Sequence, residues 1–225
     1  MHDYTLIRSQ RKSVALHIRP DSTLEVRAPL KMPKAAIDNI VALKEDWINQ
    51  KLPLVQERQE KKLAFSLNYG DMVLVRGKEY PIAAKPGNRI GFDDDQFYMP
   101  PDLSSEDIKY ACVEIYKLVA KQVLTKKTID FSRRMGVIPS AIKINSAKTR
   151  WGSCSARKSI NYSWRLIMAE DDVIDYVVVH ELAHITEMNH SERFWAIVAE
   201  VLLNYEAQRD RLKVLQQRLG SENWE

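Results

Sequence analysis

The sequence is poor in cysteine and has no long hydrophobic run. Only Cys112 and Cys154 occur among 225 residues, far apart and in no metal-binding spacing. This excludes a disulfide framework, and we expect two reduced thiols in a cytoplasmic protein. No window approaches the roughly 18 apolar residues of a membrane span, so we expect no membrane partner. The opening MHDYTLIRSQRKS also lacks the apolar segment of a secretory signal.

Strong charge of either sign is also lacking. The net charge is +4, the sequence pI is about 8.9, and charged residues make up 28% of the chain. This mild basicity permits a weak association with nucleic acid without requiring one. A solvated surface of mixed charge is the simpler interpretation.

The hydrophobic patterns predict an α+β protein. In residues 1–100, alternating segments such as TLEVRAP predict short antiparallel strands, and MPKAAIDNIVALKEDWINQKL predicts one amphipathic helix. A composition change near Pro100 divides this N-terminal β-rich region from residues 101–225. There we expect a long helix from a Ser104 or Ser105 cap to Gly136. Two strands, AIKIN and SINYSWRLIM, and two further helices complete the predicted second domain.

The segment VVVHELAHITEMNH carries the most informative motif of the chain. Residues 172–188 are predicted to form a helix that is apolar on nearly every side, so it belongs in the interior. His180 and His184 are four residues apart and therefore project from one face of this helix. With Glu181 they form the H-E-x-x-H pattern.

This pattern suits a catalytic zinc site. Two imidazoles one turn apart can bind one Zn²⁺ ion, which lowers the pKa of a bound water to about 7. Glu181, one residue after the first ligand, is placed to accept the proton of that water. Buried histidine and glutamate without partners are costly, and a metal removes that cost. We therefore predict one Zn²⁺ per chain.

The third ligand is expected to be His190, six residues after His184. The related pattern H-E-x-x-H-x-x-G-x-x-H has a glycine where this chain has Glu187. We therefore expect the chain to turn at Asn189 in a left-handed conformation. A carboxylate on the last helix, such as Glu200, is the alternative third ligand, and Glu187 and Glu192 are the remaining candidates.

With these residues in view, the sequence resembles the YgjP-like metallopeptidase family, which is related to the SprT-like and other zincin-type metalloproteases. The likeness also includes RSQRKS near the N-terminus. Its main motifs are RWGSC (150–154), the segment 160–168, YVVVHELAH (176–184) and NHSERFW (189–195).

The resemblance implies that residues 101–225 form a zincin-like catalytic domain. It also implies that His180, His184 and His190 bind zinc and that Glu181 is catalytic. The family pattern does not require a glycine at position 187.

Residues around the motif are candidates for substrate binding. An edge strand beside the metal helix can pair with an extended peptide, and SINYSWRLIM is the candidate strand. Arg150, Trp151 and Tyr162 are the predicted substrate-binding residues, and Arg150 or Tyr205 could stabilise an oxyanion.

Three functions remain open from the sequence. A zinc metallopeptidase acting on a peptide or protein substrate is favoured. The alternative is a nucleotide pyrophosphatase that uses the same metal, motivated by basic residues such as Arg8, Arg11 and Arg150. The third is a nucleic-acid-associated protein in which zinc only stabilises the fold.

Overall fold

The structure is a computed structural model that describes residues 2–93 and 95–224. The contacts divide it into two compact units. Unit 1 comprises the described residues up to Phe65 with Leu219–Asn223, and unit 2 comprises Ser66–Arg218 with Trp224. The predicted division into residues 1–100 and 101–225 places its boundary elsewhere and stays a prediction. The predicted α+β class is confirmed.

Unit 1 is a small sheet covered by two helices. Its elements are β1 (Tyr4–Ser9), β2 (Ala15–Ile18), β3 (Leu24–Pro29), α1 (Lys34–Ala42) and α2 (Glu45–Ala64). The strand order is β1-β3-β2, and the apolar side chains of β3 pack with those of both helices to form the core. β1 runs parallel to β3, so the prediction that all three strands are antiparallel was wrong. The single predicted helix is broken at Leu43 and Lys44, where the Lys44 amide donates to the Val41 carbonyl.

Unit 2 contains two further sheets and the long helix. Its first elements are β4 (Met72–Val75), β5 (Lys78–Ala84), β6 (Gly91–Phe92), β7 (Phe97–Met99) and α3 (Ser105–Met135). The prediction for α3 is confirmed at both ends: the Ser104 side chain accepts a hydrogen bond from the Asp107 amide, and Gly136 ends the helix with φ 64°. The left-handed Gly136 releases the chain into the sheet that carries the site.

The second half of unit 2 builds the platform for the motif. Its elements are β8 (Ala141–Asn145), β9 (Gly152–Cys154), β10 (Ser159–Ser163), a 3-10 helix (Trp164–Met168), α4 (Asp171–Ala183), α5 (Glu192–Val201) and α6 (Tyr205–Leu219). The strand order is β8-β10-β9. α4 packs against α3, β9 and α5, so nine of its side chains are buried.

Three boundaries differ from the expectation. The strand predicted over SINYSWRLIM ends at Ser163, whose side chain caps the 3-10 helix that follows. The motif helix ends at Ala183 instead of Met188, and the last predicted helix is two helices, α5 and α6. No helix in residues 2–93 or 95–224 combines the length and apolar character that crossing a bilayer would need.

Candidate metal centre

Three imidazoles meet where α4 ends. His180 lies in its last turn, His184 caps its C-terminus, and His190 lies between α4 and α5. One ligand atom of each lies within 4.8 Å of the others. Nε2 of His180 is 3.1 Å from Nε2 of His190. The structure therefore brings together the three predicted metal ligands, while their role as ligands stays a prediction.

The turn after α4 places His190 without a left-handed residue. The amides of Thr186 and Glu187 both donate to the carbonyl of Ala183, which tightens the chain as the helix ends. Asn189 does not have a positive φ, so the expected left-handed turn there was wrong. These hydrogen bonds at the end of α4 therefore turn the chain, which is the role of the glycine in the related pattern.

The donor set fits a divalent cation. Nδ1 of His184 lies 3.1 Å from the carbonyl oxygen of Glu187. Because a carbonyl only accepts, this Nδ1 carries the proton and Nε2 keeps its lone pair for a metal. Two nitrogens on a tetrahedral zinc would be about 3.3 Å apart, close to the separation between His180 and His190. Burial and the two neighbouring imidazoles lower the pKa of His180 to about 3, so this ring is neutral, as a metal-binding imidazole must be.

Glu181 lies against the sheet, in a space that a glycine leaves open. Its side chain is buried, with 5% exposed. A Cβ atom added at Gly152 on β9 would lie 2.5 Å from Oε1 and 2.6 Å from Cγ of Glu181. Gly152 was not among the predicted site residues, although a glycine inside a strand indicates a close approach of this kind.

Gly152, Cys154 and Tyr162 lie on the face of the sheet beneath Glu181. Side chains alternate along β9, so Cys154 lies on the same face as Gly152 and Ser153 on the opposite one. Tyr162 of β10 is the cross-strand partner of Gly152 and is fully buried. Cys154 and Tyr162 both interact electrostatically with Glu181, and each of their pKa values is raised mainly by burial.

The carboxyl group of Glu181 is poised to hold a proton. Burial raises its pKa to about 8, and the positive charge of Arg150 opposes that rise. Its Oε2 atom is buried and has no hydrogen-bond partner among the described residues. A carboxyl group with a raised pKa and a free oxygen beside a cluster of imidazoles is typical of a general base at a metal site.

The raised pKa of Glu181 predicts a pH-dependent effect of Glu181→Gln on metal-free protein. The folded state holds this proton more tightly than the unfolded state, so its contribution to stability is complete below about pH 4.5 and is lost as the pH rises towards 8. We therefore compare the free energy of unfolding of the Glu181→Gln variant with that of the wild type, both in the presence of a chelator. The variant's advantage should be larger at pH 8.5 than at pH 4.5 by on the order of 3 to 5 kcal/mol. Urea unfolding at both pH values measures this difference. A constant difference between the proteins would contradict the buried, proton-holding carboxyl.

The strand that was expected to lie at an edge of the sheet is not an edge strand. β10 is the central strand of its sheet, so β8 and β9 occupy both of its edges. The Ser163 amide donates to the Trp151 carbonyl, and the Ser155 amide to the Ser159 carbonyl. In an antiparallel pair bonded and non-bonded positions alternate, so Trp151, Ser153 and Ser155 face β10 and the residues between them direct their backbone groups away. Gly152 therefore presents its N–H and C=O at the outer edge of β9, with which no other described strand pairs.

The other predicted substrate-binding residues occupy different environments. Arg150 is exposed and Trp151 is half-buried at the start of β9. The hydroxyl of Tyr162 lies 3.1 Å from Oγ1 of Thr128 inside the protein, and the ring is fully buried, so it has no surface that a substrate could contact. Glu200, the alternative third ligand, is exposed on α5 and is not part of the histidine cluster.

The motif agrees with one protein-family model. A family model described as a YgjP-like metallopeptidase domain matches residues 12–215. The metallopeptidase zymogen abylysin of Pyrococcus abyssi is 20% identical, with a TM-score of 0.38, over 44% of this chain and 97% of its own. The metallopeptidase zymogen jannalysin of Methanocaldococcus jannaschii is also 20% identical, with a TM-score of 0.37, over 42% of this chain and 96% of its own. No curated protein matches the chain.

Proposed function

The chain belongs to the YgjP-like metallopeptidase family, as its sequence motifs indicated, and on this basis we propose that it hydrolyses peptide bonds with zinc held by His180, His184 and His190 and with Glu181 as the general base. The single observation that carries the proposal is the convergence of three ring nitrogens within 4.8 Å at the end of a buried helix. A peptide or protein is the proposed substrate, and the expected cytoplasmic location is part of the proposal.

A Zn²⁺ ion bound by these nitrogens supplies Lewis-acid chemistry, which acidifies water and polarises a carbonyl. Proton transfer and ligand orientation are the roles of the chain's own residues. Glu181 accepts a proton from the attacking water at Oε2, the buried oxygen that has no partner among the described residues, and passes it to the leaving nitrogen. The hydrogen bond from Nδ1 of His184 to the Glu187 carbonyl fixes the tautomer and the orientation of that ring.

The outer edge of β9 is the proposed place for the substrate backbone. An extended peptide there would pair with the N–H and C=O of Gly152 and Cys154, beside the carboxyl group of Glu181. Arg150 is exposed next to this strand, and its charge acts on Glu181. We propose that its guanidinium group stabilises the negative charge that develops on the carbonyl oxygen of the substrate.

Two of the basic residues that motivated the pyrophosphatase alternative, Arg8 and Arg11, donate hydrogen bonds to backbone carbonyls. The Arg8 guanidinium donates to the carbonyls of Pro29, Leu30 and Met32, and Arg11 donates to the carbonyl of Ser13. These contacts hold loops of unit 1 in place. Assays on an unstructured polypeptide and on nucleoside triphosphates, with the same zinc-loaded protein, separate the two reactions. Cleavage of nucleotides alone would replace the peptidase proposal.

We expect His184→Ala to remove both metal and activity. Loss of an outer hydrogen-bond partner already costs 10- to 100-fold in metal affinity, so loss of a ligand should cost more than about 100-fold. Metal analysis after dialysis and cleavage of an unstructured polypeptide measure the two effects. The matched control is His17→Ala, which removes an exposed histidine of unit 1. Full zinc content and turnover in the His184→Ala variant would refute the proposed site.

A further inference from the structure

One buried ring contacts all three imidazoles. Phe194, the third residue of α5, is fully buried. Its ring centroid lies 4.9 Å from that of His180, 4.5 Å from His184 and 4.8 Å from His190. The contacts with His180 and His190 are edge-to-face, at 73° and 76°. The Ser191 side chain accepts a hydrogen bond from the Phe194 amide, which fixes the start of α5 beneath the cluster.

The next ring, Trp195, stacks on two neighbours. It stacks on His190, at 5.8 Å and 27°, and on Tyr205, at 5.2 Å and 11°. Tyr205 stacks in turn on Tyr176, which lies one turn before His180 on α4. Trp195 therefore links His190 to this stack of rings. Its place in the stack points to a role in holding His190.

These contacts occupy the place that hydrogen bonds take at most metal sites. A metal-binding histidine commonly donates its second ring nitrogen to a carbonyl or carboxylate, which fixes the ring. His184 does so through Glu187. Nδ1 of His180 is buried and has no partner among the described residues. His190 lies outside the helices, and its Nδ1 makes no hydrogen bond to any residue in the described part of the chain. For two of the three rings, aromatic contact is therefore what restricts orientation.

We propose that Phe194 and Trp195 are positioning residues that hold His180 and His190 in the geometry of a bound metal ion. This inference rests on the proposed metal site and adds residues that contact the ligands without touching the metal. Edge-to-face and stacked contacts restrict ring rotation without accepting a proton. Phe194 and Trp195 thus keep the ligand nitrogens of His180 and His190 directed at one point. This lowers the entropy lost when a metal binds.

The test compares metal affinity in full-length variants. We expect Phe194→Leu to weaken Zn²⁺ binding by about 10- to 100-fold in competition with a chromophoric chelator, the range seen when ligand-orienting partners are lost. The visible spectrum of the Co²⁺-loaded variant should also change, because it reports coordination geometry. Phe97→Leu is the matched control, since Phe97 is equally buried in unit 2 and makes no ring contact with the cluster. It should lower thermal stability and leave metal affinity and the Co²⁺ spectrum unchanged.

Trp195 provides a second, milder pair of variants. Trp195→Phe keeps an aromatic face against His190 and should retain affinity within about threefold, whereas Trp195→Leu should weaken binding by about tenfold or more. Wild-type affinity and an unchanged spectrum in Phe194→Leu would overturn the inference, as would an equal loss in Phe97→Leu. Both results presuppose that the wild type binds one Zn²⁺ that is lost in His184→Ala. If the wild type fails that condition, the proposed function fails with the inference.

Discussion

We expect Glu181→Gln to reduce turnover of an unstructured polypeptide by about 10²- to 10⁴-fold, the contribution typical of a positioned proton acceptor. Glutamine has nearly the shape of glutamate, and the space beside Gly152 that holds the carboxylate accepts it. An amide cannot take a proton from water, so the loss should fall on kcat. The measurement is kcat and zinc content on the same preparation.

Zinc content distinguishes a role of Glu181 as proton acceptor from a role as metal ligand. The three imidazoles do not depend on Glu181 for their positions, so the variant should keep one zinc per chain. Glu200→Gln is the matched control, since Glu200 is exposed on α5 and is also the alternative third ligand. It should keep both zinc and turnover. Loss of zinc in Glu181→Gln would make the carboxylate a ligand, and unchanged turnover would remove it from the reaction.

The site was more predictable from sequence than the sheet around it. The spacing of His180 and His184 fixes their common face on any helix, so no tertiary information was needed to pair them. The two ends of α3 were equally local, because the Ser104 side chain caps the Asp107 amide and Gly136 takes a left-handed backbone conformation. Such features depend on neighbours within a few residues, which is why the sequence predicts them.

The errors arose where distant contacts decide the structure. Alternation of apolar residues from Ile160 to Met168 predicted one long strand, yet the chain forms a 3-10 helix after Ser163. All five residues of that 3-10 helix are buried, so the apolar character of the four besides Arg165 reflects the core and not a strand period. The order β8-β10-β9 also depends on pairing between segments far apart in sequence, which periodicity does not encode.

Gly152 is the clearest case of a candidate site residue whose importance became visible only in the fold. Its significance depends on the approach of β9 to α4, two elements that the motif does not link. We expect Gly152→Ala to lower kcat by about 100-fold or more, because a misplacement of about 1 Å at a reacting group can cost that much. The added Cβ would lie within 2.7 Å of three atoms of Glu181. The easiest relief is for the buried carboxylate to move, and zinc content should stay unchanged.

A double variant shows whether the effect acts through Glu181. If Gly152→Ala works by displacing the carboxylate, it should cost little further activity in a Glu181→Gln background, since both changes remove the same function. Ser153→Ala, on the opposite face of β9, controls for a general disturbance of the strand and should retain kcat. Independent, multiplicative losses in the double variant would mean that Gly152 serves the reaction through the substrate-pairing edge of β9. The position of Glu181 would then no longer be the reason for a glycine at residue 152.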